Sequence, residues 1–312
     1  MSKTIQYSSV EYQIDKMKKQ GLTIRNEDFA KTMLIRNGYS NLIKSYRDPY
    51  VIIGPEGVSY RPGITFDQVA SLYIFDKNLR NAVMSSMLDL EEHIKALSAD
   101  IIAKDFGTDH NYYLDKRNYR NKKYKNKHFS LDAILTILKD ALDMQRDPIL
   151  HCRITYRTVP PWILFNGVYF STIVNFIDKF KRPQMDALSH RLFKKDVTST
   201  LNDEQLRYLL MDSLFIYLEY RNLAAHGGRI YNYNTKANLR TKEIYSNTGM
   251  HLTGFSKLLF LLEQLDYQNP FDYLRRALNN ELTRHCSSYV EDVTYLAQTL
   301  NVNIIRSSEK DK

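Results

Sequence analysis

The sequence lacks the residue patterns that several common kinds of site require. Its two cysteines, Cys152 and Cys286, are far apart and have no metal-ligand spacing, so we expect reduced thiols and neither a zinc site nor a disulfide framework. The histidines are scattered, which leaves a metallonuclease without support. No glycine-rich P-loop and no Gly-x-Ser-x-Gly elbow is present. The sequence therefore predicts no bound metal and no small-molecule cofactor.

Long apolar segments are also missing. No stretch approaches the roughly 20 consecutive apolar residues that a membrane-spanning helix requires. The first residues, MSKTIQYSSVEYQIDKMKKQ, do not contain the apolar core of a signal peptide. We therefore expect a cytoplasmic protein that does not associate with a membrane.

Basic and aromatic side chains, by contrast, are abundant. The formal net charge is +9, and the chain contains 23 tyrosines and 14 phenylalanines. This composition favours a polyanionic partner and places nucleic acid ahead of other ligands. Hydrophobic residues make up 43% of the 312 positions, which is enough for a substantial core.

Apolar residues recur at three- and four-residue spacing along most of the chain, which predicts an all-α fold. Two short helices are expected around Gly21, and PYVIIGPEGVSYRPG predicts the only β-hairpin. After Thr65, the predicted N-cap, the helical pattern continues for about forty residues, longer than an ordinary helix. The predicted segments are an N-terminal helical cap with the hairpin (1–62), a helical core (63–250) and a C-terminal helical extension (251–305).

Three further helices are predicted in the core and two or three in the extension. The core helices run from about 130 to 146, from 162 to 180 with an interruption near Gly167 and an end before Pro183, and from 202 to 226. Asn202 and Gln205 match a capping box at the start of the last one, and Gly227 with Gly228 predicts its end.

The stretch RNLAAHGGRIYN, residues 221–232, closes this last helix. Asn222 and His226 are four residues apart and share a helix face, whereas Arg221 points about 140° away from His226. A cleft formed by two copies of the helix end would bring Arg221 and His226 together, so a real site implies a homodimer. Imidazole can transfer a proton and guanidinium can hold a phosphate, which suits RNA cleavage without metal. The structural alternative is a helix end whose histidine complements the helix dipole and whose arginine is solvated.

This stretch resembles the signature of the Abi-like (AbiD/AbiF) abortive-infection proteins, a branch of the HEPN superfamily. The signature is an arginine, a polar residue that is often asparagine, three further residues and a histidine. Four more blocks resemble the same family in the expected order: QIDKMKKQGLTIRNEDFAKTMLIRNGY, FDQVASLYIFDKNLRNAV, DLEEHIK and WILFNGVYFSTIVNFI. The family often has a second histidine where this chain has Gly227. Gly228 stands in place of the tyrosine that is nucleotidylated in some HEPN proteins, so that form of control is not predicted.

The resemblance implies a HEPN-type helical bundle that acts as a metal-independent endoribonuclease toxin in phage defence, commonly as a homodimer. Under this hypothesis Arg221 contacts the scissile phosphate and His226 is the acid or base. Asn222 orients His226 or the phosphate. The alternative is a non-catalytic RNA-binding protein that forms a ribonucleoprotein with a structured small noncoding RNA. A third hypothesis is a helical adaptor that binds only proteins.

The segment YYLDKRNYRNKKYKNKHF, residues 112–129, interleaves basic and aromatic side chains. Lysines can neutralise phosphates, and tyrosines can stack on unpaired bases, which predicts an RNA-contacting segment. The alternative is a solvated loop whose tyrosines pack on the domain. The candidate RNA-binding residues are Lys116, Arg117, Tyr119, Arg120, Lys122, Lys123, Tyr124, Lys125, Lys127 and Arg229.

Two pairs in the long predicted helix have the spacing of helix neighbours. Glu91 and Lys95 are expected to form a surface pair, and Glu91 is also a candidate supporting residue for the cluster at Arg221. Asp76 and Arg80 are expected to be structural. Trp162, the sole tryptophan, is expected in the core.

Overall fold

A computed structural model of the chain describes residues 7–121, 129–241, 243 and 252–302. In these residues the structure is helical apart from one two-stranded antiparallel sheet, which confirms the all-α class with a single short hairpin. None of the described helices combines the length and the apolar character that crossing a membrane requires.

The hairpin consists of β1 (Val51–Gly54) and β2 (Gly57–Tyr60). The α-helices of the described residues are α1 (Val10–Lys19), α2 (Glu27–Asn37), α3 (Phe66–Phe106), α4 (His110–Tyr113), α5 (Leu131–Leu142), α6 (Ile149–Tyr156), α7 (Pro161–Leu164), α8 (Phe170–Ile177), α9 (Arg182–Leu192), α10 (Lys195–Thr200), α11 (Asp203–Ala225), α12 (Gly254–Glu263), α13 (Asn269–Ser288) and α14 (Asp292–Leu300). Short π and 3-10 turns lie at Ser40–Lys44, Asp48–Tyr50, Lys116–Asn118 and Phe165–Gly167.

Internal contacts divide the chain into two units. Unit 1 comprises the described residues of Met1–Leu79 and Ala277–Lys312, and unit 2 comprises those of Arg80–Arg276. The boundaries fall inside α3 and α13. The three segments expected from the sequence stay a prediction about domain organisation.

In unit 1 the two predicted short helices and the predicted hairpin are confirmed. Gly21, with φ of +90°, follows α1, and the Asn26 side chain caps α2 by accepting a hydrogen bond from the backbone of Phe29. Positive φ favours glycine because an L side chain would collide with its own backbone. The strands pair with Val51 opposite Tyr60 and Gly54 opposite Gly57.

A buried polar group, which we call the Asp292 cluster, ties the segments of unit 1 together. The Asp292 carboxylate accepts hydrogen bonds from the Tyr50 hydroxyl at 2.6 Å and from the Gln68 amide at 3.2 Å. The Nε2 atom of His285 lies 2.9 Å from the same carboxylate, and its Nδ1 atom lies 2.9 Å from Ser71 Oγ. The His285 side chain is completely buried. Both ring nitrogens and both carboxylate oxygens therefore have partners, as buried polar groups require.

In unit 2, α11 provides much of the buried surface. Leu209, Leu214 and Tyr217 are fully buried, and α11 packs against α8 and α9. Burial of each leucine side chain contributes about 1.5–3 kcal/mol to folding. The predicted capping box is confirmed, because Asn202 and Gln205 exchange hydrogen bonds of 3.0 Å between side chain and backbone. This packing fixes the end of α11, where the candidate site lies.

The segment between 149 and 200 departs from the sequence prediction. The predicted helix from 162 to 180 is interrupted at Gly167 as expected, but α6, α9 and α10 were not predicted. Pro183 lies in the first turn of α9, where its missing N–H group is tolerated. The expectation that Trp162 lies in the core is wrong, because its side chain is 47% exposed on the short helix α7.

Candidate functional site

Helix α11 ends in a turn that requires both of its glycines. His226 is the C-cap residue, the Gly227 N–H group donates to the Ala224 carbonyl at 3.3 Å, and the Gly228 N–H group donates to the Leu223 carbonyl at 2.9 Å. These two bonds form a Schellman motif, whose left-handed position is Gly227 with φ of +73°. A Cβ atom at Gly228 would come within 2.1 Å of Leu223 Cδ1. The glycines therefore set the backbone on which the exposed His226 side chain stands.

Arg80 holds the same turn from α3. Its Nη1 atom donates hydrogen bonds to the Gly227 carbonyl at 3.1 Å and to the Gly228 carbonyl at 3.4 Å. A cation next to a helix C-terminus also interacts favourably with the helix dipole. The structural role expected for Arg80 is therefore to bind the backbone directly after His226. The sequence alone did not predict this contact.

Glu91 connects α3 to the candidate catalytic arginine. Its Oε1 atom lies 2.7 Å from Lys95 Nζ, and its Oε2 atom lies 3.5 Å from Arg221 Nε. The prediction of a surface pair is wrong in one respect, because Glu91 and Lys95 do pair but are 8% and 7% exposed. The structure brings Glu91 to Arg221, and we call Glu91, Lys95 and Arg221 the Arg221 cluster.

The Arg221 cluster combines two cationic side chains with one carboxylate. Lys95 Nζ also donates to the Val168 carbonyl at 2.9 Å. The Arg221 side chain is 24% exposed, and neither Arg221 Nε nor Glu91 Oε2 forms a hydrogen bond with the described residues. No other described group accepts a hydrogen bond from the guanidinium. A positively charged fork, anchored on one side and open on the other, can bind an oxyanion.

The other two motif residues are not joined to this cluster. The His226 side chain is exposed and that of Asn222 is half-buried. The His226 N–H group donates to the Asn222 carbonyl at 3.0 Å, but within the described chain no hydrogen bond joins the two side chains. Neither an ion pair nor a hydrogen bond links the His226 side chain to Arg221. The angle of about 140° between Arg221 and His226 on a regular helix accounts for the separation of these two side chains. The catalytic roles of these side chains stay predictions.

Of the three described tyrosines in the predicted RNA-contacting segment, Tyr113 and Tyr119 are buried and Tyr112 is 69% exposed. Tyr119 is 4% exposed, packs against Phe176 and Phe180, and donates its hydroxyl hydrogen bond to the Tyr113 carbonyl. Burial also raises the pKa of the Tyr119 phenol. Because its ring lies inside the domain, the expectation that Tyr119 stacks on a base is wrong. The alternative, in which tyrosines pack on the domain, describes Tyr119 and the fully buried Tyr113.

The described basic residues of this segment have local partners. Lys116 pairs with Asp132 at 2.6 Å, and Arg120 donates to the Asp178 carbonyl at 2.8 Å. Arg117 pairs with Asp115 at 2.6 Å, and its hydrogen bonds lower the Asp115 pKa to about 2. Beyond the turn at His226, Arg229 is half-buried. The remaining candidates lie outside the described residues: Lys122, Lys123, Tyr124, Lys125 and Lys127.

Among the described side chains, no group of three or more His, Cys, Asp or Glu is arranged to hold a metal ion. Both cysteines are free thiols, with Cys152 buried and Cys286 half-buried.

Comparison with known proteins gives one family match. A sequence model of the Abi-like proteins matches residues 32–232, a range that contains Arg80 and the Arg221 cluster and continues past the turn at His226. No curated protein and no solved structure matches the chain.

Proposed function

The chain belongs to the Abi-like protein family, and from that premise we propose that it is a metal-independent endoribonuclease of the HEPN type. Family membership points to abortive infection, a form of phage defence. The proposed substrate is single-stranded RNA, and the proposed site is composite, with Arg221, Asn222 and His226 contributed by both chains of a homodimer.

The guanidinium of Arg221 is the observation that carries this proposal. It is held near Glu91 at 3.5 Å, shares that carboxylate with Lys95, and donates no hydrogen bond to a described residue. Arginine stays charged at any physiological pH, and its planar fork matches two phosphate oxygens. In the proposed reaction Arg221 binds the scissile phosphate and stabilises the charge that grows on it in the transition state.

His226 supplies the proton transfer in this mechanism. The RNA 2′-oxygen attacks the adjacent phosphorus in line with the departing 5′-oxygen. One imidazole removes the proton from the 2′-hydroxyl, and an imidazolium donates a proton to the 5′-oxygen as the P–O bond breaks. The products are a 2′,3′-cyclic phosphate and a free 5′-hydroxyl. Because neither an ion pair nor a hydrogen bond joins Arg221 to His226 within the described chain, we assign the facing residues of the site to a second copy.

An RNA cleavage assay in the presence of EDTA tests the proposal. We expect wild-type protein to cleave single-stranded RNA, and Arg221→Ala and His226→Ala to lose about 100- to 10,000-fold in rate, the range of acid–base and charge-stabilising groups. His226→Ala should keep the melting temperature and the RNA affinity of the wild type. Undiminished cleavage by His226→Ala, or cleavage that EDTA abolishes, would contradict this mechanism. Recovery of a discrete bound RNA without any cleavage would favour the ribonucleoprotein alternative.

A further inference from the structure

Three aromatic side chains of unit 2 are presented to solvent by one stretch of chain. Tyr156, Trp162 and Tyr169 are 64%, 47% and 78% exposed, and we call them the aromatic face. Tyr156 and Trp162 line a surface cavity of about 370 Å³, together with Cys152 and Pro160. The cavity is apolar and open at the surface, as a site for a planar ring requires.

The stretch that carries the aromatic face contains arginines but no acidic residue. Arg153 and Arg157 lie within residues 149–169, which include no aspartate or glutamate, and Arg153 pairs with Asp143 at 3.5 Å. Arg157 is exposed and directly follows Tyr156, and the His151 ring lies 5.8 Å from the Tyr156 ring. Cations beside exposed aromatic rings complement a partner that combines flat bases with a phosphate backbone.

The same stretch is anchored to the Arg221 cluster. Contacts of 3.5, 2.7 and 2.9 Å lead from Arg221 Nε through Glu91 and Lys95 to the Val168 carbonyl, which places this carbonyl within about 11 Å of Arg221 Nε. Tyr169 is the next residue. Helix α7 and the following 3-10 turn separate Trp162 from Val168 by about 10 Å. A short run of nucleotides spans distances of this size.

We propose that the aromatic face receives the unpaired bases of the RNA strand whose phosphate lies at Arg221, and that one base enters the cavity beside Trp162. This inference rests on the proposed function, since it names how that site holds its substrate. Aromatic rings stack on every kind of base, so the contact selects single strands rather than a sequence. The bases of a duplex are already stacked and do not enter the cavity. Tyr119, the described tyrosine among the candidate RNA-binding residues, is buried and is not available for this contact.

Trp162 is the only tryptophan, so intrinsic tryptophan fluorescence reports on this cavity alone. The experiment titrates the His226→Ala protein, which should leave RNA uncut, with a single-stranded oligoadenylate. Parallel titrations use a duplex of the same length and an oligomer of the same length without bases. We expect strong quenching by the single strand and little by the other two. Equal quenching by the base-free oligomer, or no quenching at all, would overturn the inference.

Variants then measure the contribution of the ring to affinity, with a labelled oligoadenylate followed by fluorescence anisotropy. We expect Trp162→Ser to weaken binding about 5- to 150-fold, which corresponds to about 1 to 3 kcal/mol for one stacked base. Trp162→Phe should restore most of the affinity. Tyr273→Ser is the matched control, because Tyr273 is 46% exposed in the same unit, and it should bind like the wild type.

The outcomes separate the inference from the proposed function. If single-stranded RNA quenches the fluorescence but the wild-type protein cleaves no RNA, the base-binding inference stands and the proposed nuclease activity is ruled out. Cleavage that Trp162→Ser leaves unchanged, with unchanged affinity, would overturn the inference and leave the nuclease. A change in oligomeric state of Trp162→Ser on size-exclusion chromatography, without a change in RNA affinity, would instead assign the aromatic face to a second copy of the chain.

Discussion

The Asp292 cluster of unit 1 and the Arg221 cluster of unit 2 both place ionisable groups out of water, but they satisfy them differently. Asp292 accepts hydrogen bonds from Tyr50 and Gln68 and contacts His285 at 2.9 Å. Arg221 lies 3.5 Å from Glu91, and neither of the two facing atoms forms a hydrogen bond with the described chain. A complete set of hydrogen bonds stabilises a fold, whereas an incomplete one lowers stability and leaves donors for a ligand. The comparison therefore separates a structural cluster from a cluster that we propose binds RNA.

The largest expected effect on stability comes from the Asp292 cluster. Asp292→Ala removes the acceptor shared by buried donors, and we expect the free energy of unfolding to fall by about 3–5 kcal/mol. Arg221→Ala should change it by less than about 1 kcal/mol, since Glu91 keeps its contact with Lys95. Urea denaturation followed by circular dichroism measures both. Equal losses of unfolding free energy in Asp292→Ala and Arg221→Ala would contradict the distinction between the two clusters. Asp292→Asn keeps the shape of the side chain and should lose less stability than Asp292→Ala.

Glu91→Gln tests the charge balance of the Arg221 cluster. We expect a loss of about 1–3 kcal/mol in stability, because the buried Lys95 ammonium and the partly exposed Arg221 guanidinium lose their shared carboxylate. RNA affinity should rise severalfold and depend more steeply on salt. The substitution removes the negative charge beside Arg221 and Lys95, so that the cluster attracts the RNA phosphates with one more unit of net positive charge. Binding titrations at several salt concentrations measure this change. Glu92→Gln, at the exposed neighbouring position, is the control and should alter the affinity less. A weaker affinity in Glu91→Gln would show that Glu91 does not oppose RNA binding.

A smaller loss of stability than in Asp292→Ala or Glu91→Gln is expected at the turn after α11. Gly227→Ala places a Cβ atom at a φ of +73°, which costs about 1–2 kcal/mol. Gly63→Ala is matched to it, because Gly63 has a φ of +86° and open space around it in unit 1. Both should lower the melting temperature by a few degrees, as measured by calorimetry. Only Gly227→Ala should also slow RNA cleavage, since it moves His226. An equal loss of cleavage in Gly63→Ala would contradict the assignment.

Local signals in the sequence predict the longer elements well. The helical period after Thr65 predicts α3, and the capping box at Asn202 predicts the start of α11, because both depend on neighbours within one or two turns. Helix α9 is not predicted because Pro183 is interpreted as the end of the preceding helix. In the structure α8 already ends at Ile177, and Pro183 lies in the first turn of α9.

The site is less predictable, since burial is decided by residues distant in sequence. The spacing of Glu91 and Lys95 predicts that they pair with each other. It does not predict that Glu91 also contacts Arg221 or that Lys95 donates a hydrogen bond to the Val168 carbonyl. Likewise, composition alone does not show that Tyr119 packs between phenylalanines while Trp162 stays at the surface. Motif spacing makes Arg221 and His226 candidates, whereas the hydrogen bonds from Arg80 to the following turn depend on tertiary structure.

The division of unit 1 between two stretches of sequence has a consequence for synthesis. Unit 2 is continuous, from Arg80 to Arg276, so a ribosome completes it before it reaches the stretch that contains α14. Domains fold as units while the chain emerges, at about 5–20 residues per second. The residues Glu91, Lys95 and Arg221 are therefore all synthesised, and can come into contact in the nascent chain, before Asp292 is added. Tyr50 and Gln68 form their hydrogen bonds with Asp292 only after that.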